Sequence, residues 1–252
     1  MALGMVRAAI SDAFLTFLWV FCVSTLRAST YYIATAIGVQ GHLTLLITYA
    51  LVATLLFAFS VIGTALGGAS FNPTTTAAFY AAGFGGQSLY SMALRFPAQA
   101  AGAVGGAIAI KEVMPMHYKH MLGGPSLKVD VHTGAVAEGL LTFFISLAVL
   151  IVVLRTRVSS LAKASLIAMA TVTLVVAGSG YTGPSMNPAN AFGWAYLNNK
   201  HDTWEHFYVY WICPFIGATL AAVVYRVVFS QPQPQPQQPK RQKKAQKAKK
   251  EE

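Results

Sequence analysis

Two short Asn-Pro elements are the residues best suited to chemistry in this chain of 252 residues: Asn72-Pro73-Thr74 and Asn187-Pro188-Ala189, 115 positions apart. Asparagine is a favoured N-cap, and proline suits the first helical position because its missing N–H would have no partner there. Each pair therefore reads as the start of a short helix. Residues 67–71 (GGASF) and 180–184 (GYTGP) precede them and suit a non-helical approach. A helix start carries the positive end of a dipole. The chemistry on offer is repulsion of cations combined with amide N–H donors for a neutral polar molecule. For one copy alone, an ordinary cap in a loop would be the simpler reading. Two copies in charge-poor segments favour the first.

Two acids, Asp12 and Glu138, accompany these elements inside apolar runs. A carboxylate in such a run is costly unless partnered. A structural role is preferred over proton relay, and a place near a membrane surface is the alternative for Asp12. The six histidines (42, 117, 120, 132, 201, 206) lie in or beside loops without metal-ligand spacing. No nucleophile stands beside a base, so no enzyme, metal or cofactor is expected. Cys22 and Cys213 sit in apolar runs and read as small buried residues rather than a disulfide.

The elements around these residues must be membrane spans. Of all residues, 55% are hydrophobic and 10% charged, against about 25% charged in a soluble domain. No charged residue occurs in the 67 positions between Arg27 and Arg95, nor in the 36 between Lys163 and Lys200. This excludes an ordinary soluble enzyme, a disordered protein and a nucleic-acid-binding domain. Six runs, near 8–27, 43–63, 92–112, 132–154, 161–179 and 207–229, approach the length of about 20 residues that a helix needs to span a bilayer. Stretches 69–84 and 183–197 are shorter and hold the Asn-Pro elements; they are expected to be re-entrant.

The chain also repeats. Residues 12–18 (DAFLTFL) align with 138–144 (EGLLTFF), offset by 126, and Gly102-Ala103 aligns with Gly217-Ala218 at the same offset of 115 as the Asn-Pro pairs. The difference is assigned to a longer first loop. Three spans per half mean that the halves enter the membrane in opposite directions, which makes an inverted repeat with its site near the midplane. The expected fold is an all-α polytopic membrane protein of six transmembrane helices plus two re-entrant half-helices. Residues 1–230 form one domain, with repeats at about 8–112 and 132–229, and 231–252 form a separate tail.

The paired motifs, continued as Asn190-Ala191-Phe192-Gly193 in the second, together with Asp12, Glu138 and Gln99-x-x-Gly102-Ala103, resemble the major intrinsic protein (aquaporin) family over about residues 8–229. The Asn-Pro-Thr version of the first motif, Pro184 and the lysine-rich tail are most similar to the plant small basic intrinsic proteins of the first subtype. The resemblance implies one pore per subunit, a homotetramer, and Asp12 and Glu138 hydrogen-bonded to the re-entrant loops. It implies a selectivity filter at Val52, Val175, Pro184 and Asn190. Water-selective members of the family usually keep arginine at the position of Asn190 and often histidine at that of Val175. This filter is therefore expected to be less cationic, more apolar and wider. Thr74 stands where alanine is usual, either as a tolerated first-turn residue or as a selectivity element.

The expected function is passive passage of water and small neutral solutes through the endoplasmic reticulum membrane, with the bilayer and no nucleic acid as surroundings. A secondary transporter would need an intramembrane charge, and only Asp12 and Glu138 are available for that; a non-transporting scaffold is the other alternative. Body cations divide six to five between the two sides, with Arg95 counted on the cytosolic side, and seven Lys/Arg in 231–252 tip both termini to the cytosol. Alternating Pro and Gln, then clustered Lys, predict a disordered tail. Lys249 and Lys250, before the final two glutamates, resemble a dilysine retrieval signal; binding to anionic lipid is the alternative.

Overall fold

The structure, a computed structural model, describes residues 2–84, 86 and 88–229. The tail, with Lys249 and Lys250, lies outside the described residues. Among those described, six helical stretches are long and apolar enough to cross a membrane: Leu3–Ala36, Gly41–Ala65, Leu89–Val113, Val131–Arg155, Ser160–Gly178 and Trp204–Phe229.

The first is longer than the sequence suggests. Helix α1 (Ala2–Val23) runs almost directly into α2 (Leu26–Ala36). At the join, the Ser24 hydroxyl donates to the Val20 carbonyl and the Thr25 hydroxyl to that of Cys22, 2.6 and 2.7 Å. Such side-chain bonds to the preceding turn compete with the backbone ladder and tend to bend a helix. The extra residues of the first half are thus helix α2, not a long loop. No glycine or proline stops the chain until Gly38, which takes the positive φ of a helix end.

The remaining elements are α3 (Thr44–Ala65), α4 (Pro73–Ala81), α5 (Leu89–Val113), α6 (Val131–Arg155), α7 (Ser160–Gly178), α8 (Pro188–Leu197), α9 (Trp204–Phe207) and α10 (Cys213–Phe229). A π-helical turn, Tyr208–Ile212, joins the last two. α4 and α8 have 9 and 10 residues, about half a bilayer.

Lipid gives helices no hydrophobic reason to associate, so close packing of small residues must hold them together. α1 lies against α5, and α6 against α10. The two pairs cross at equivalent points. A Cβ added to Gly102 would collide with the Ala13 carbonyl, and one added to Gly217 with the Gly139 carbonyl. These are the repeat positions found in the sequence. α3 and α7 meet each other across the middle. Half-helix α4 rests mainly on α10 and α6, while α8 rests on α5 and α1. Each half-helix is therefore held largely by the long helices of the other half.

Candidate functional site

Asn72 and Asn187 cap the two half-helices as their residue types dictate. Asn72 Oδ1 accepts the Thr74 N–H at 3.0 Å, and Asn187 Oδ1 accepts those of Ala189 and Asn190 at 3.1 and 3.3 Å. Their amide groups then reach across the molecule. Asn72 Nδ2 donates to the Met186 carbonyl at 3.0 Å, and Asn187 Nδ2 to the Phe71 carbonyl at 2.9 Å. Phe71 and Met186 each precede the opposite asparagine, so the bracing is reciprocal. One amide proton of each asparagine remains for the cavity that both residues line. Pro73, Thr74, Pro188 and Ala189 are buried in the first turns.

The approach loops are fixed by the two acids, both wholly buried. Asp12 Oδ1 accepts the Ser70 N–H at 2.8 Å. Glu138 Oε1 accepts the Ser185 N–H and the Thr182 hydroxyl, each at 2.9 Å, and Oε2 accepts the Met186 N–H at 3.1 Å. Ser70 and Ser185 occupy equivalent repeat positions. Met186 takes a positive φ of 51° without being glycine; such a conformation persists only where its surroundings impose it, here bonds at both its N–H and its carbonyl.

The acids differ in one respect. Glu138 takes only uncharged donors. Asp12 meets a full cation: Arg95 Nε donates to Oδ2 at 2.6 Å and Nη2 to Oδ1 at 2.7 Å. Arg95 Nη2 also reaches the Gly68 carbonyl at 3.2 Å, and Gln99 Nε2 donates to Asp12 Oδ2 at 2.6 Å. Sequence reasoning placed Arg95 among the cytosolic-side charges; the structure buries it, 4% exposed. The signal available was its spacing from Gln99, four positions on one helix face inside a span. Thr182 was likewise missed, since a lone threonine in a glycine-rich loop carries no pattern.

A cavity of about 820 Å³ runs along α3, α6 and α7 past both half-helix starts. Val52, Val175, Pro184 and Asn190 all line it, together with Asn72 and Asn187. Among the described residues Asn190 Oδ1 has no hydrogen-bond partner, and Asn190 Nδ2 lies 3.5 Å from the Ser185 hydroxyl. Arg27 and Lys163 are the charged members of the lining. Asp12 and Glu138 do not belong to it.

Among the described residues, no three His, Cys, Asp or Glu side chains cluster as a metal site would require. His206, expected in or beside a loop, is instead buried in α9 and accepts the Trp211 Nε1–H at 3.3 Å. Cys22 and Cys213 are free and half-buried rather than fully enclosed.

A sequence profile of the major intrinsic protein family matches residues 2–225. The chain belongs to that family. It is 61% identical over 238 residues to Aquaporin SIP1-2 of Zea mays, covering 94% of this chain and 98% of the relative. To Aquaporin SIP1-1 of Arabidopsis thaliana it is 52% identical over 237 residues, covering 92% and 97%. These relatives agree with the subfamily that Thr74, Pro184 and the basic tail suggested. The X-ray structure of the aquaglyceroporin from Plasmodium falciparum has the same fold, with a TM-score of 0.70 over 90% of this chain and 97% of that one at 18% identity.

Proposed function

We propose that this major intrinsic protein is a passive channel for water and small neutral solutes. One observation carries the reading: the two half-helices start at one cavity between the spans and present Asn72 and Asn187 to it. The positive dipole ends and the free amide protons favour a water oxygen turned toward them and disfavour a cation. A water whose oxygen accepts both amide protons cannot also accept from a neighbouring water, and this interrupts a proton wire.

Val52, Val175, Pro184 and Asn190 act as the narrower filter. With two valines, a proline and a neutral amide, it discriminates by size and hydrogen bonding rather than by charge. Cation exclusion then rests mainly on the half-helix starts. A coupled transporter would need an acid in the permeation path. Asp12 and Glu138 lie outside the cavity lining, and their oxygens are occupied by the approach loops and, for Asp12, by Arg95 and Gln99 of α5. A non-transporting scaffold has no need of a lined cavity with two amide donors at its centre.

Four subunits assemble, each with its own pore, and the protein resides in the endoplasmic reticulum with both termini cytosolic. The family supports the tetramer, and the basic stretch that includes Lys249 and Lys250 supports the location. Stopped-flow swelling of proteoliposomes with water, hydrogen peroxide and glycerol tests the channel. Water permeability no higher than that of empty liposomes would refute it. Light scattering of the detergent-solubilised protein reads the tetramer, and imaging of a Lys249→Ala, Lys250→Ala double variant reads the address.

A further inference from the structure

The first motif departs from the symmetry of the second at one atom. Asn187 Oδ1 receives two backbone N–H groups, from Ala189 and Asn190. Asn72 Oδ1 receives one backbone N–H, from Thr74, and its second donor is the Thr74 hydroxyl at 2.8 Å. The hydroxyl takes the place that symmetry would give to the N–H of Thr75. Thr74 Oγ1 also lies 3.3 Å from the Met186 carbonyl, the acceptor of Asn72 Nδ2. The side chain is 1% exposed, wedged between the two loops. A hydroxyl has one proton to give, and the shorter contact assigns it to Asn72.

We propose that Thr74 is a positioning residue that locks the orientation of the Asn72 carboxamide through its hydroxyl. This rests on the channel reading above. A carboxamide can rotate by half a turn and exchange its oxygen and nitrogen at little steric cost. Rotated, Asn72 would set its NH₂ against the hydroxyl and N–H of Thr74, and its oxygen against the Met186 carbonyl. It would also turn an acceptor toward the cavity. The Thr74 hydroxyl could accept from that NH₂ only by giving up its 2.8 Å bond to Oδ1 for the longer 3.3 Å contact with the Met186 carbonyl, and the repulsions at the Thr74 N–H and the Met186 carbonyl would remain. The midplane then keeps donors on both sides, which is what denies a proton wire its acceptor.

The test separates the hydroxyl from the bulk of the side chain. Thr74→Ser keeps the donor and loses a methyl. Thr74→Val keeps the volume and loses the donor. In full-length protein reconstituted into liposomes, Thr74→Ser retains the water permeability and proton tightness of the parent. Thr74→Val loses water permeability by about fivefold, the worth of roughly one hydrogen bond, and its ratio of proton to water flux rises. Thr74→Ala falls between, because the smaller side chain lets the Thr75 N–H take the second position on Oδ1. A packing role alone gives the reverse order, with valine closest to the parent. Thr74→Val behaving as the parent, or Thr74→Ser behaving as Thr74→Val, would overturn the proposal. If Thr74→Val does not assemble while Thr74→Ser does, the hydroxyl order stands. If the parent itself conducts no water, the channel reading fails, and the order of melting temperatures, serine above valine, still decides the role of Thr74.

Discussion

Arg95 and Asp12 form a two-pronged ion pair, at 2.6 and 2.7 Å, inside the first repeat, with both side chains at most 4% exposed. The pair neutralises an acid that also holds the Ser70 N–H and so the approach to Asn72. Removing one member leaves the other charged and buried, a loss of about 3–5 kcal/mol. Arg95→Met and Asp12→Asn should each lower the melting temperature in detergent markedly. The double variant should recover part of that loss, because no lone charge remains. A double variant as unstable as the sum of the singles would show that the two residues act independently.

Helix crossings at single glycines predict a sharp positional contrast. Gly102→Val and Gly217→Val each drive a side chain into backbone of the facing helix. The overpacking costs about 1–3 kcal/mol or more, since backbone cannot rotate aside. The yield of monodisperse protein should fall for both. Gly180→Ala, with nothing within 4 Å of the added Cβ, should leave that yield unchanged.

Placing the family's usual cation at position 190 tests the proposed filter. Asn190 is neutral and lines the cavity. In Asn190→Arg, glycerol permeability should fall by about tenfold while water stays within about twofold, as pore width and donors set selectivity. An unchanged solute profile in liposome swelling would remove Asn190 from the filter.

Asp130 gives a pH dependence outside the membrane. It caps α6, its Oδ1 accepting the His132 and Thr133 N–H groups at 3.1 and 3.0 Å. Hydrogen bonds from the Thr133 side chain, then its N–H, hold the carboxyl below its ordinary 3.8. A lowered folded pKa means the cap contributes fully above pH 3.8 and fades as pH falls through the folded value. Asp130→Ala should therefore melt below the parent at neutral pH, with the gap closing in acid. A gap that persists below about pH 2, under the usual carboxylate range, would refute the electrostatic origin.

The repeat was legible because three features recur in both halves: a helix cap, a loop-binding acid and a glycine crossing. The sequence offset of 115 alone pairs Gly102 with Gly217, the two glycines at which the helices cross. Span limits differ from the structure by a few residues, except at α2. There Arg27 looked like a membrane edge, while the chain holds helix to Ala36. Arg95 was misread for a related reason. Counting cations near span ends treats each as solvated, and burial by a partner 83 positions away leaves no local trace. With Arg95 paired inside, the body cations divide evenly, five and five, and the tail alone carries the orientation argument. The Thr74 hydroxyl was equally hidden, because residue type does not show which oxygen a proton will choose.

The reciprocal bonds from Asn72 to Met186 and from Asn187 to Phe71 also bear on biosynthesis. A nascent chain that has emerged only through α5 holds Asn72 with no Met186 carbonyl to receive its amide, and α4 without α6 and α10 to rest on. Its first loop is an unfinished half of a two-part fastening. The second half is just as incomplete until it meets the first. Closure must therefore wait for residues translated well over a hundred codons after Asn72. An inserted but unfinished chain then has no assembled conduit through which the compartment could leak.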